Sequence, residues 1–166
     1  MKRVGVGDDM VKGWTLLVAA IVLVLAVVYP VYADGYPLTI SNVATKNYDG
    51  ETVTSFSKGE LALIEVTVTY PSTYYYYYGG AQQIQCLIIV EVFDPSNVVR
   101  FLFFKKTTLS QGESFTTGWG FKIPYGAQSG TWTVKVFVWN KFISELAEGE
   151  AHQILAESVE KTFTVG

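Results

Sequence analysis

The sequence contains few of the residues on which catalytic and metal sites depend. It has one histidine, His152, and one cysteine, Cys86, among 166 residues. A lone cysteine excludes an intrachain disulfide framework, and a lone histidine excludes any site built on paired histidines. His152 lies in a polar stretch, where we expect it to be solvated. Cys86 alternates with isoleucines, which predicts a buried, unreactive thiol. The sequence therefore predicts a protein that is not an enzyme and that holds no metal or cofactor.

Charged residues are also scarce, and neither sign dominates. They make up 16% of the chain, with 12 Lys and Arg against 15 Asp and Glu, which gives a net charge of −3. A nucleic-acid-binding protein is usually basic, so we expect no nucleic-acid partner. A disordered chain would have more charge and less than the 49% hydrophobic residues of this sequence. The composition predicts a folded protein rich in apolar side chains.

Part of this apolar content lies in one uncharged run near the N-terminus, Trp14–Tyr29. As a helix the run is about 24 Å long, and a full membrane crossing needs about 20 residues. Basic residues precede the run. Pro30 and then Val31-Tyr32-Ala33 follow it, which is typical of a signal-peptidase site. Residues 1–33 are therefore predicted to form an N-terminal hydrophobic helix.

Three interpretations of residues 1–33 remain open. They are a cleaved signal peptide, an uncleaved N-terminal membrane anchor, and a pilin-type leader cut after Gly13. All three place residues 34–166 outside the cytoplasm, in the extracellular space or at the cell surface, with membrane contact only through the N-terminal segment. We expect residues 34–166 to form one domain, because a chain of this length buries a sufficient core without disulfides.

After residue 34 the apolar residues alternate with polar ones, and turn residues separate the runs, which is the pattern of β-strands. The polar stretch Asn140–Glu157 is predicted to hold a short helix around Ser144–Ala156. Short strands without intervening helices predict an all-β fold, an antiparallel β-sandwich of immunoglobulin-like type. The seven predicted strands are Pro37–Val43, Glu60–Tyr70, Gln82–Phe93, Val98–Lys106, Ser114–Ile123, Thr131–Trp139 and Ser158–Val165.

Some of these strands are apolar on both faces, although an antiparallel sheet needs only one apolar face. The second face would form an exposed apolar patch on a soluble monomer, and such patches mark interfaces. We therefore predict that this face is covered by the Asn140–Glu157 stretch, by the tyrosine loop or by another subunit. Its members are Leu87, Ile89, Phe93, Leu102, Phe104, Phe137 and Trp139.

Five consecutive tyrosines lie in the predicted loop between the second and third strands. Tyrosine combines a large apolar body with a polar tip and few rotamers, which favours adhesive contacts. The loop is a second candidate interface, and the alternative is a loop folded back on its own sheet. Its tyrosines are Tyr74, Tyr75, Tyr76, Tyr77 and Tyr78.

Turn and strand motifs over residues 37–166 resemble those of archaeal extracellular immunoglobulin-like modules. The motifs are Lys58-Gly59-Glu60, Phe93-Asp94-Pro95, Phe121-Lys122-Ile123-Pro124, Ser129–Val136 and Ala156–Val165. Such modules occur in surface-layer-associated proteins, in anchored proteins of archaella and pili, and in filament subunits such as archaeal threads. The tyrosine run and the Asn140–Glu157 stretch depart from the common pattern. The resemblance implies a structural role and supplies no catalytic residues.

The resemblance also suggests how subunits would join. In thread-like subunits an N-terminal strand completes the sandwich of the next subunit, and an extended segment can pair with an open sheet edge. The candidate donor strand here is Pro37, Leu38, Thr39, Ile40, Ser41, Asn42 and Val43. We predict a structural subunit of an extracellular filament or cell-surface assembly, held by strand complementation and apolar sheet-face contacts. The partner would be a second copy or another surface protein.

Two other functions remain open. One is a membrane-anchored accessory protein whose sandwich binds a surface-layer or appendage partner. The other is a secreted glycan-binding module that uses the tyrosines.

Overall fold

A computed structural model describes residues 35–72 and 81–166 of the chain. The predicted N-terminal helix, residues 1–33, and the tyrosine run Tyr74–Tyr78 lie outside the described residues. Residues 36–166 form one compact unit. Its strands are β1 (Thr39–Lys46), β2 (Ser55–Phe56), β3 (Leu61–Thr69), β4 (Gln83–Phe93), β5 (Val99–Ser110), β6 (Ser114–Lys122), β7 (Gly130–Trp139) and β8 (Ile154–Val165).

These strands form two packed sheets. The three-stranded sheet has the order β1-β3-β6, and the five-stranded sheet has the order β2-β8-β7-β4-β5. Neighbouring strands are antiparallel, except that β2 runs parallel to the end of β8. The predicted all-β, immunoglobulin-like sandwich is confirmed. The sequence pattern missed β2, because a strand of two residues shows no alternation.

The core lies between the two sheets and comes from the alternating residues. Along β3, Ile64, Val66 and Val68 are fully buried, and the residues between them are partly exposed. Trp132 of β7 is the largest of the fully buried side chains, and its indole Nε1 donates to the Gln128 carbonyl at 3.0 Å. Each large apolar side chain buried in this way stabilises the fold by about 1.5–3 kcal/mol.

Aromatic rings close the side of the sandwich where β5 and β6 lie near each other. Phe101 of β5 contacts Phe121 of β6 with ring centroids 4.3 Å apart. Phe103 stacks on Trp119 with centroids 6.1 Å apart. Because side chains alternate along a strand, the residue between these two phenylalanines, Leu102, projects from the outer face of the sheet.

The turn from β4 to β5 is held by a buried carboxylate. Asp94 accepts hydrogen bonds from the backbone N–H groups of Val98 at 3.0 Å and Ser96 at 2.9 Å, and from Arg100 Nε at 2.6 Å. The bond from Val98 is the largest cause that lowers the pKa of Asp94, and the bonds from Arg100 and Ser96 lower it further against the opposing effect of burial. The ionised carboxylate therefore fixes the point at which β5 begins.

The candidate donor strand pairs within its own chain. β1 is antiparallel to β3. Leu38 is buried, and its N–H donates to the Leu155 carbonyl at 2.9 Å. The strand extends three residues beyond the predicted end at Val43, to Lys46, whose Nζ bonds Glu65 Oε2 at 2.8 Å. The predicted donor residues thus fill a place in their own sandwich.

The segment between β7 and β8, residues 140–153, is a strap and not the predicted helix. It contains only the short 3-10 turn Ile143–Glu145, and β8 already begins at Ile154. Asn140 N–H donates to the Gln153 carbonyl at 3.0 Å, and Gln153 N–H donates to Asn140 Oδ1 at 3.1 Å. These bonds hold the two ends of the strap together, which a straight helix cannot do. Over residues 35–72 and 81–166, no helix is long and apolar enough to cross a membrane.

Candidate functional site

The predicted apolar interface residues of β4, β5 and β7 lie together on one surface, the outer face of the five-stranded sheet. Ile89 is opposite Phe104 on one side and Phe137 on the other, and Leu87 is opposite Trp139. Directly opposed residues share a face of the sheet. The seven residues on this face are Leu87, Ile89, Phe93, Leu102, Phe104, Phe137 and Trp139.

The strap covers one end of this outer face. The Phe142 ring packs edge-on against Phe104 with centroids 5.2 Å apart. At the other side of the strap, the His152 ring packs edge-on against Trp139 with centroids 4.7 Å apart. Leu87 lies on β4 between Lys106 and Trp139, and each of these two neighbours contacts the strap, through Glu145 and His152 respectively.

Leu87 and Ile89 are therefore not available to a partner. Leu87 is 0% exposed and Ile89 is 7% exposed, although neither belongs to the main core between the sheets. The prediction that these two residues form an exposed interface is corrected, because their own chain covers them. Coverage by the segment after β7 is the alternative that holds at this end of the face.

One ion pair attaches the strap to β5, and a second lies within the strap. Lys106 Nζ bonds Glu145 and also lies 5.4 Å from the centroid of the Phe142 ring. Lys141 Nζ lies 2.6 Å from Glu150 Oε1. Hydrogen bonds from these lysines are the main causes that lower the pKa of Glu145 and of Glu150. Both pairs are partly exposed, so water and salt screen them, and the aromatic contacts are the stronger attachment.

His152 is partly buried and not solvated as the sequence suggested. Its Nε2 atom is buried and has no hydrogen-bond partner among the described residues. The polar composition of the strap predicted solvation, and the long-range contact with Trp139 overrides that local signal.

Four apolar side chains remain in contact with solvent at the open side of the strap. Leu102 is 55% exposed, Phe104 is 56% exposed, and Ile143 of the strap is 66% exposed. Phe142 is partly exposed and joins this group through its contact with Phe104. We name Leu102, Phe104, Phe142 and Ile143 the outer patch. Phe142 and Ile143 are not among the predicted interface residues, because the polar composition of their stretch gives no signal of exposed apolar side chains.

The other end of the outer face is less open. Lys135 Nζ lies 5.4 Å from the centroid of the Phe93 ring and 2.7 Å from Glu160 Oε1. Phe137 is partly buried, with its ring centroid 6.3 Å from that of Trp139. Lys135 covers part of Phe93, and of the seven predicted residues only Leu102 and Phe104 are exposed.

The described residues include the single cysteine and scattered acidic side chains. They contain no group of three or more His, Cys, Asp or Glu side chains that could hold a metal ion. Cys86 is fully buried, as predicted, and burial raises the pKa of its thiol to about 11. A thiol with such a pKa is protonated near neutral pH and is a poor nucleophile.

Comparison with solved structures supports the fold. The chain is similar to the C-terminal domain of Wzt, with a TM-score of 0.55 and 8% identity over 80% of this chain and 75% of that chain. Two weaker likenesses are to the alkylpurine DNA glycosylase AlkC of Pseudomonas fluorescens bound to DNA containing an abasic site analogue, and to a CARDB domain from Pyrococcus furiosus in complex with di-metal ions. The first has a TM-score of 0.49 and 11% identity over 80% of this chain and 31% of that chain. The second has a TM-score of 0.45 and 10% identity over 76% of this chain and 90% of that chain.

No protein-family model and no curated protein matches the sequence. At 8% identity, the likeness to the Wzt domain shows a shared β-sandwich fold and nothing about a ligand or an activity.

Proposed function

We propose that the chain is a non-catalytic structural subunit of an extracellular filament or cell-surface assembly, and that its copies associate through the outer patch. A β-sandwich with a continuous core is compatible with a structural or binding module. Strand complementation is no longer part of the proposal, because β1 is already paired with β3 of its own chain.

The observation that carries this proposal is the exposure of the outer patch. Leu102 and Phe104 are more than half exposed on β5, Phe142 of the strap packs on Phe104, and the next residue, Ile143, is 66% exposed. Contiguous exposed apolar surface on a folded domain marks an interaction site. Because full burial of a Leu or Phe stabilises by about 1.5–3 kcal/mol, covering the exposed half of each side chain contributes about 1 kcal/mol.

The N-terminal sequence supports the extracellular location. The uncharged run Trp14–Tyr29 is preceded by basic residues and followed by a site typical of signal peptidase. The mass of the intact protein from its native source tests this point. Loss of residues 1–33 supports a released subunit, and retention supports the anchored accessory protein instead.

Replacement of one patch residue by a charged one tests the association. We expect a protein of residues 35–166 to associate with increasing concentration in light scattering, because Phe104 is buried between copies. Phe104→Asp places a charge in that contact and should leave a monomer. Tyr48→Asp is the matched control, since Tyr48 is 78% exposed on the turn after β1. Equal association of the two variants would exclude the outer patch as the contact.

A further inference from the structure

We propose that two copies of this chain join edge to edge along β5, antiparallel and about a two-fold axis at Phe104, so that their five-stranded sheets become one continuous sheet. This inference rests on the proposed function and names the partner and the geometry of the contact. A two-fold contact of identical strands is self-complementary and closes as a dimer, so this dimer would be the repeating unit of the proposed assembly.

The first support is the open edge of β5. It is the last strand of the five-stranded sheet, and no strand of the described residues pairs with it on the side away from β4. It has 12 residues, and after a register shift at Arg100 the stretch from Phe101 to Ser110 forms a long regular edge. Long exposed edges present unpaired N–H and C=O groups, and proteins usually protect them or use them for pairing.

The second support is that the outward-facing residues of β5 are also the ones with free backbone groups. Just beyond the strand, Gln111 N–H donates to the Gln82 carbonyl, and this pair continues the register of β4 and β5. In an antiparallel ladder every second residue bonds to the neighbouring strand, so the odd-numbered residues of β5, which share the phase of Gln111, bond to β4. Leu102, Phe104 and Lys106 therefore direct their N–H and C=O groups to the open edge. Pairing at this edge and covering of the outer patch thus use the same residues.

Charges on β5 select the register of such a pair. With Phe104 at the axis, residues 101–107 of both copies are paired in the regular part of β5, beyond the register shift at Arg100, and Leu102 lies opposite Lys106 of the second copy. No like charges are opposed in this register. An axis at Phe103 would pair only residues 101–105 in this way, and an axis at Lys105 would place Lys105 opposite itself. Like charges directly opposed destabilise a sheet.

An axis at Leu102 also avoids opposed like charges. It pairs only residues 101–103 of each copy in the regular part of β5, so the ladder is shorter and leaves more edge groups unpaired. The axis at Phe104 is therefore the favoured register.

Lysines on an edge strand usually prevent pairing, but the cations of β5 are largely neutralised by the chain itself. Arg100 bonds Asp94, and Lys106 bonds Glu145 and lies over Phe142. Lys105 has no acidic partner among the described ion pairs. In the favoured register it lies opposite Phe103 of the second copy, where an ammonium over an aromatic ring is attractive.

Engineered cysteines test this geometry in the full-length chain, whose only native cysteine, Cys86, is buried. Residues in a hydrogen-bonded antiparallel pair have Cα atoms about 5.5 Å apart, within the range of about 4.4–6.8 Å that a disulfide spans. Phe104→Cys should therefore form a disulfide dimer under mild oxidation. Leu102→Cys should not, because its equivalent lies four residues along the partner strand, about 13 Å away. A mixture of Leu102→Cys and Lys106→Cys should form a mixed dimer.

We expect Phe104→Cys and the mixed pair to cross-link about tenfold faster than Leu102→Cys alone, since only they meet the distance limit. Faster self-cross-linking of Leu102→Cys would overturn the register. Absence of cross-linking in all variants, while the wild-type chain associates, would overturn the β5 edge contact and leave the proposed function standing. Absence of association in the wild-type chain would overturn both.

Discussion

Two leucines on the same face of the sheet should respond very differently to truncation. Leu87 and Leu102 were predicted from sequence as members of one apolar surface, yet the strap buries the first and leaves the second 55% exposed. Leu87→Ala removes a side chain enclosed between neighbouring strands and the strap. Leu102→Ala removes one that is already largely in water. The pair therefore measures whether the strap is part of the folded domain.

The expected magnitudes follow from burial. Truncation of a fully buried leucine costs about 2–5 kcal/mol, depending on how far the surroundings collapse into the cavity. The strap is held mainly by ring contacts and can move inward, so we expect a cost near the lower end, about 2–3 kcal/mol, for Leu87→Ala. Leu102 buries less than half of its side chain, so we expect about 1 kcal/mol or less for Leu102→Ala.

Urea unfolding of residues 35–166, at a protein concentration low enough to keep the domain monomeric, provides the measurement. The urea concentration at the unfolding midpoint should fall clearly for Leu87→Ala and slightly for Leu102→Ala. The slope of the unfolding free energy against urea concentration should stay the same in both variants. Equal losses in the two variants, or a loss below about 1 kcal/mol for Leu87→Ala, would refute the conclusion that the strap packs on the outer face.

Two further predictions concern turns. The pKa of Asp94 is lowered in the folded state, so its contribution to stability is present above the unfolded pKa of about 3.9 and is lost as the pH falls through the folded pKa. Asp94→Asn should therefore lower the urea midpoint at pH 7 and reduce the loss of stability on acidification. A variant with the same dependence of stability on pH as the wild type would contradict this. Gly59 has φ of +85° and an added Cβ would meet the Tyr125 ring, whereas Gly50 has φ of +81° with open space around it. Gly59→Ala and Gly50→Ala should each lose about 1 kcal/mol of unfolding free energy from backbone strain. The thermal midpoint should fall further for Gly59→Ala, and equal falls would show that the contact with the Tyr125 ring adds nothing.

The strand pattern of the sandwich is readable from the sequence because local alternation and burial agree. On β3, every second residue is apolar and faces the core, and the structure follows this alternation throughout the strand. The exposed members of the outer patch on β5, Leu102 and Phe104, were found in the same way, since they alternate with the inward Phe101 and Phe103.

The remaining features depend on contacts between distant parts of the chain. The polar composition of the strap predicts a short surface helix. In the structure, ring contacts of Phe142 with Phe104 and of His152 with Trp139 hold the strap against the sheet instead. Those contacts cover Leu87 and Ile89, and period-two alternation carries no information about what lies above a sheet face. The pairing of the first strand likewise depends on whether a matching edge exists in its own domain, which a single segment does not reveal.

Hydrogen exchange at β5 tests the central claim, that the open edge and outer patch of this strand form the contact between copies. In dilute protein the backbone amides of Leu102, Phe104 and Lys106 should exchange fast, because they point away from β4. The amide of Phe103 is the internal control. It belongs to the alternate set of residues that bond to β4, so it should exchange slowly at every protein concentration. As concentration rises and copies associate, we predict that the three edge amides become protected. Association without any change in their exchange would contradict the account.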